Sequence, residues 1–150
     1  MDDTIDTPAA KPATRKVHDK ARHPRLAREL ATAHAMALIH CREVHGTPDG
    51  LCAACQALMD YATRRLDRCV FGDDKPTCAN CKVHCYNREN RESMRTMMRY
   101  SGPKMIYRHP VLALRHVIDG RRPAPDLPKG KTKAQVAADA ERDEKAARAA

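Results

Sequence analysis

Residues 24–46, which read PRLARELATAHAMALIHCREVHG, decide the fold class of this chain. Apolar side chains recur there every three or four residues, which is the spacing of one face of an α-helix. Pro24 lies at the start of the stretch and Gly46 at its end, where helices most readily accept these two residues. The stretch therefore predicts a long amphipathic helix. Its buried face is expected to carry Leu26, Leu30, Ala33, Ala37, Cys41 and Val44.

Three further segments show the same spacing and predict an all-α domain of about four helices. The second helix is expected over residues 51–69, with Asp49 as its N-cap, and the fourth over residues 110–119. The third begins after Asn87 and should end at Ser101-Gly102-Pro103, because proline cannot continue the hydrogen-bond ladder of a helix. The expected apolar faces are Leu51, Cys55, Leu58, Ala62 and Leu66 in the second helix, Met94, Met97, Met98 and Ser101 in the third, and a combination of Leu112, Leu114, Val117 and Ile118 in the fourth.

The 150-residue chain is basic and poor in aromatic residues, with a formal charge of +9, no tryptophan, four tyrosines and one phenylalanine. So few rings cannot build a large core, and something besides aromatic packing must stabilise the fold. Residues 1–22 and 123–150 lack a periodic apolar face, and disordered tails are expected there. The second tail is predicted to be a proline-rich linker followed by a charged Ala, Lys and Glu segment. The helical domain is predicted over residues 23–122.

The first residues are acidic and carry no basic or apolar leader, so we expect no secretory signal. The longest apolar run, residues 35–39, is far too short to cross a bilayer. These observations predict a cytoplasmic protein with no membrane partner. In that reducing compartment, seven cysteines favour metal binding or redox chemistry over disulfides.

Four cysteines follow one another in the loop between the second and third predicted helices, in the pattern C-x8-C-x2-C-x3-C. A C-x2-C unit brings two sulfurs to the same metal centre, and the flanking cysteines complete a set of four. Zinc and an iron–sulfur cluster both accept four thiolates. The close C-x2-C-x3-C run favours a 4Fe–4S cluster, with zinc as the alternative. The predicted ligands are Cys69, Cys78, Cys81 and Cys85.

A second C-x2-C unit, Cys52 and Cys55, lies at the predicted start of the second helix. It could join Cys78 and Cys81 in a four-sulfur zinc site, act as a dithiol redox pair, or pack as a small apolar face. Two sets of histidines are further accessory candidates. His84 lies between two predicted ligands, and the cluster of His40, Cys41 and His45 lies at the end of the first predicted helix.

Four arginines of the third helix, Arg88, Arg91, Arg95 and Arg99, fall three or four residues apart. Such a stripe could bind phosphates of a nucleic acid or an acidic protein partner. A solvated helix face is the simpler interpretation, because no aromatic residues interleave with the arginines. The chain contains no Ser-His-Asp constellation, Gly-rich phosphate loop or H-E-x-x-H motif, and this favours a protein that is not an enzyme.

An ordered series of motifs covers about half the chain, from Tyr61 to Pro128. It includes YAxRRLDxCVFG from Tyr61, KPxCxxCxVHCY from Lys75, and MRYxGP from Met98. Together these motifs resemble the nitrous oxide-stimulated promoter family, the YgbA-type small bacterial proteins. The resemblance implies a role in the bacterial response to nitric oxide or nitrosative stress, with no assigned reaction. Its pattern includes the four loop cysteines.

These observations predict a small helical protein whose cysteine loop holds a metal centre, most simply an iron–sulfur cluster, that acts as a sensor or redox site in nitrosative stress. The alternative is a structural zinc module that binds a nucleic acid or a protein through the arginine helix.

Overall fold

The computed structural model describes residues 23–127 and 132–149, and the tail predicted over residues 1–22 lies outside them. The described residues form five α-helices and no strand, which confirms the all-α prediction. Two short 3-10 turns, Gly72–Asp74 and Cys78–Asn80, lie in the loop after the second helix. The helices are α1 (Pro24–Val44), α2 (Ala53–Asp67), α3 (Arg88–Arg108), α4 (Pro110–Gly120) and α5 (Lys133–Ala149).

The core lies around α1, which packs against α2, α3 and α4. Alanines and methionines fill it, because flexible thioether side chains can occupy the irregular space that aromatic rings would otherwise fill. Four of the six predicted residues of α1 are buried, whereas Leu30 is partly buried and Val44 is half-exposed. The helix also buries residues outside the predicted face, among them Met36 and Ile39. The main cluster comprises Ala33, Ala35, Met36, Ala37, Ile39, Met59, Ala62, Met94, Met97 and Met105.

Helix α3 begins as predicted but continues seven residues beyond Ser101 to Arg108, so its predicted end is wrong. The Asn87 side chain accepts a hydrogen bond from the backbone N–H of Asn90 at 2.9 Å, which confirms the predicted cap. Pro103 lies inside the helix and costs it one backbone hydrogen bond. Two buried contacts offset that cost. Ser101 Oγ donates to the Met36 carbonyl at 2.8 Å, and the Met105 side chain is fully buried.

A buried ion pair at the C-terminal end of helix α4, rather than its apolar face, attaches this helix to α1. Arg25 Nη1 of α1 lies 3.0 Å from Asp119 Oδ1, and both side chains are buried. The prediction that this helix buries its large apolar residues is wrong for three of the four, since only Leu112 is half-buried. The exposed residues are Leu114, Val117 and Ile118.

Helix α5 lies within the segment predicted as a charged tail. Its Val136 side chain is buried, although the sequence offers no continuous apolar face around it. Within the described part of the chain, each helix is too short or too polar to cross a membrane.

Candidate metal centres

Three cysteines and a histidine meet where α1 ends and α2 begins. Their ligand atoms all lie within 4.8 Å of one another. His45 Nδ1 is 3.3 Å from Cys52 Sγ and 3.3 Å from Cys55 Sγ. Cys41 and Cys55 are buried, whereas His45 is exposed. Three sulfurs and one imidazole nitrogen are a ligand set typical of metal sites. We name Cys41, His45, Cys52 and Cys55 the Cys3His cluster.

The local backbone explains why these four residues converge. Cys41 and His45 are four residues apart and therefore share one face of the last turn of α1. Gly46 and Gly50 have positive φ angles of 68° and 75° and let the chain reverse over a short distance. Cys52 is the N-cap of α2, so the prediction of Asp49 as the cap is wrong.

Hydrogen bonds and burial give the cysteines of this cluster different acidities. The Thr47 side chain donates a hydrogen bond that lowers the pKa of Cys41 to about 6, although burial opposes it. The backbone N–H of Cys52 also donates to Cys41 Sγ, at 3.1 Å. Burial, together with the neighbouring Cys52 and Cys41, raises the pKa of Cys55 to about 12. Of these two buried thiols, Cys41 is therefore the stronger acid.

Sequence reasoning identified these residues only in part. The sequence offers Cys52 and Cys55 as one accessory candidate and the cluster of His40, Cys41 and His45 as another. It does not show that the two sets meet, or that His40 is not a member of the combined cluster. The structure brings Cys52 and Cys55 to Cys41 and His45, so it does not support the alternative of a zinc site shared with Cys78 and Cys81. The signal that links the two sets is the short turn between the C-x3-H pair and the C-x2-C unit.

The four predicted loop ligands line a second site, a cavity of about 180 Å³ between α2, the loop and α3. All seven cysteines of the chain are free thiols. Among the described residues, the loop thiols do not form a group whose ligand atoms all lie within 4.8 Å, unlike the Cys3His cluster. We name this site the thiol cavity; its cysteines are Cys69, Cys78, Cys81 and Cys85.

A buried lysine faces the thiol cavity. Lys75 Nζ donates to Cys78 Sγ at 3.1 Å and lies 3.9 Å from Glu29 Oε2. Burial would lower the pKa of Lys75, but the negative charges of Cys78, Glu29 and Cys69 raise it above its ordinary value. Burial and the neighbouring thiols also raise the pKa of Cys85 to about 12. The cavity thus pairs thiol groups with a permanent buried cation.

The other predicted residues lie at the wall of this cavity or outside it. His84 lines the cavity with a positive φ of 49°, and burial followed by the charges of Arg91, Lys133 and Arg95 lowers its pKa. Arg91 and Arg95 also line the cavity, so the arginine stripe is in part a wall of the site and not only a solvated face. Its binding to a nucleic acid or a protein stays a prediction.

Five helices with a Cys3His cluster and a thiol cavity define a small, all-α, cysteine-rich protein of the metal-binding class. The match to known families agrees with this description. Residues 24–129 match the family described as nitrous oxide-stimulated promoter, and this chain belongs to that family.

One relative with a curated description is similar along most of its length. It is the protein of Escherichia coli (strain K12) described as "Uncharacterized protein YgbA". The two chains are 44% identical over 107 residues, which cover 69% of this chain and 88% of that protein. No solved structure matches this chain. The region that matches the family, residues 24–129, contains both cysteine sites and ends before α5.

Proposed function

We propose that this chain is a metal-binding protein of the bacterial response to nitric oxide, and that its thiol cavity holds a 4Fe–4S cluster. The spread of the four thiols around one cavity is the observation that carries the proposal. Ligands of a single tetrahedral zinc ion, at bond lengths of about 2.3 Å, lie about 3.8 Å from one another. A cluster takes one thiolate on each iron, so its ligands are farther apart, and these four do not all lie within 4.8 Å of one another.

The surroundings of the thiol cavity suit an anionic cluster. Four thiolates and the sulfides of a cluster bring net negative charge, which is costly in a buried site unless cations face it. Lys75 supplies one such cation from inside, and Arg65, Arg91 and Arg95 line the same cavity. Hydrogen bonds and charges around the sulfurs also set the reduction potential of a cluster.

The connection with nitric oxide rests on the family to which the chain belongs and on the chemistry of the ligands. Nitric oxide binds iron and thiolates avidly, and a bound cluster would supply both. The chain's own residues would hold that centre and control access to it, since Met94 and Met98 form an apolar part of the cavity wall. A site of this kind suits a sensor or a redox centre and requires no further catalytic group.

The first test is anaerobic purification of the full chain, followed by iron, sulfide and zinc analysis. We expect about four irons and four sulfides for each chain, and an absorption spectrum that nitric oxide bleaches. Cys81→Ser should lose most of the iron. Cys52→Ser is the matched control, because its thiol lies outside the thiol cavity and iron should remain.

Zinc without iron in the anaerobic protein would overturn the cluster and favour the structural zinc module predicted as the alternative. The proposed role would be overturned if nitric oxide left the cluster unchanged and if the nitric oxide tolerance of the cells did not depend on Cys81.

A further inference from the structure

The Cys3His cluster has the dimensions of a site for one ion. Zinc binds cysteine sulfur at about 2.3 Å and histidine nitrogen at about 2.0 Å, so tetrahedral ligands lie roughly 3.5–3.8 Å apart. The two distances from His45 Nδ1 to sulfur are 3.3 Å, and no pair of ligand atoms exceeds 4.8 Å. The separations therefore agree with tetrahedral coordination to within about 1 Å.

The close spacing of its four ligands also distinguishes this cluster from the thiol cavity. A set of three cysteines and one histidine within reach of one ion is typical of structural zinc sites, which leave no position open for a substrate. The thiol cavity instead spreads its sulfurs around about 180 Å³ of space. The two sites share no cysteine, and different parts of the fold build them.

The contacts around the cluster support a metal-bound state. The backbone N–H of Cys52 donates to Cys41 Sγ at 3.1 Å, and such bonds orient a ligating sulfur. The His40 ring lies edge-on to the His45 ring, with centroids 5.0 Å apart, and helps to hold the imidazole in place. The ring presents Nδ1 to the sulfurs, so Nδ1 is the nitrogen available for coordination.

We infer that Cys41, His45, Cys52 and Cys55 bind one zinc ion, through three sulfurs and Nδ1 of His45, as a structural site independent of the thiol cavity. The ion would join the last turn of α1 to the first turn of α2, on opposite sides of the loop that contains Gly46 and Gly50. Zinc neither gains nor loses electrons, so this site would keep its metal through redox changes at the other.

The test measures zinc and iron in the full chain, in His45→Gln and in His34→Gln. We expect about one zinc in the unchanged chain and an affinity for zinc that falls roughly tenfold or more in His45→Gln. His34→Gln is the matched control, because His34 is an exposed histidine of the same helix and is not a member of the cluster. That variant should keep its zinc. Cys81→Ser should also keep zinc, whatever its iron content.

Cobalt substitution in the unchanged chain makes the result independent of variants that fail to fold. We expect the absorption of a tetrahedral cobalt ion with sulfur ligands, and imidazole nitrogen signals that place the metal on Nδ1. An octahedral cobalt spectrum, full zinc affinity in His45→Gln, or loss of zinc from Cys81→Ser would each overturn the inference. A chain that holds zinc but no iron would contradict the proposed cluster and leave this inference standing.

Discussion

Two glycines of this chain have opposite conformations, and substitution by alanine should therefore change stability in opposite directions. Gly46 has a φ of 68°, whereas Gly102 lies inside α3. A Cβ atom at either position meets nothing within 4 Å, so backbone conformation alone decides the outcome. Gly46→Ala should lower the free energy of unfolding by about 1–2 kcal/mol, the cost of left-handed backbone in an L-residue. Gly102→Ala should raise it by up to about 1 kcal/mol.

Urea denaturation of both variants, at equal metal content, checks this pair. Each is the control for the other, because both add one methyl group to open space. Destabilisation by Gly102→Ala would mean that the helix needs glycine beside Pro103. A neutral result for Gly46→Ala would mean that the turn tolerates another conformation.

Cysteine positions show where residue-level reasoning stops. Cys41 has the periodicity of a core residue and is fully buried, so pattern alone predicts packing. Its sulfur nevertheless belongs to the Cys3His cluster. Cys41 can be both a core residue and a member of the cluster, because the buried face of α1 continues to the end of the helix, where the cluster lies. Spacing predicted which cysteines occupy the loop, but only the reversal through Gly46 shows which thiols meet Cys41.

Helix α3 shows how tertiary contacts override a local signal at the scale of an element. Gly102 and Pro103 predict a helix end, because both residues have low helix propensity and the local sequence alone does not favour a helix beyond them. In the folded chain, Glu43 of α1 accepts hydrogen bonds from Tyr100 at 3.0 Å and Arg108 at 2.8 Å and pairs with Lys104. Tyr100, Lys104 and Arg108 are four residues apart, so all three lie on the side of α3 that faces Glu43 only if the helix continues to Arg108. No sequence pattern reveals that their partner lies on another helix.

The ion pair between α1 and α4 is the contact at this scale with the clearest energetic consequence. Asp119→Asn would leave the buried Arg25 guanidinium without its charged partner. We expect the free energy of unfolding to fall by about 2–4 kcal/mol, because an uncompensated buried charge is costly. Thermal or urea denaturation of the metal-loaded protein measures this loss.

Asp126→Asn is the matched control for Asp119→Asn. Asp126 pairs with Lys82 at 3.3 Å, but its side chain is fully exposed, and such pairs contribute less than about 1 kcal/mol. Equal effects of the two substitutions would show that burial of the Arg25 pair does not matter. A loss confined to Asp119→Asn would locate the docking energy of α4 at its C-terminal end.

For the whole molecule, the sequence predicted the fold class better than it predicted how the helices pack against one another. Helical periodicity identified α1 to α4 and about half of the methionine and alanine core, since α1, α2 and α3 each bury one face. The periodicity of α4 instead marks a largely exposed face, with Val111 and Leu114 both more than 60% exposed. Periodicity reports that a helix has an apolar side. It does not report whether the rest of the chain covers that side.

Removal of metal should separate the parts of this molecule that fold by packing from the parts that fold by coordination. Chelation under reducing conditions would take away the centres proposed for the Cys3His cluster and the thiol cavity. Metal binding contributes folding free energy directly, so segments that depend on it should open first. We expect amide hydrogen exchange to quicken at least roughly tenfold in residues 45–52 and 68–87.

Protection should persist at the centres of α1 and α3, where Met36, Met97 and Met105 are buried in a core that contains no cysteine. Hydrogen exchange with mass spectrometry, on the full chain with and without metal, measures both regions in one experiment. Restoring zinc alone should protect residues 45–52 and leave 68–87 open, because the two sites share no ligand. Simultaneous loss of protection in the loops and in the methionine core would instead mean that the metals hold the whole fold together, and that packing around α1 is insufficient without them.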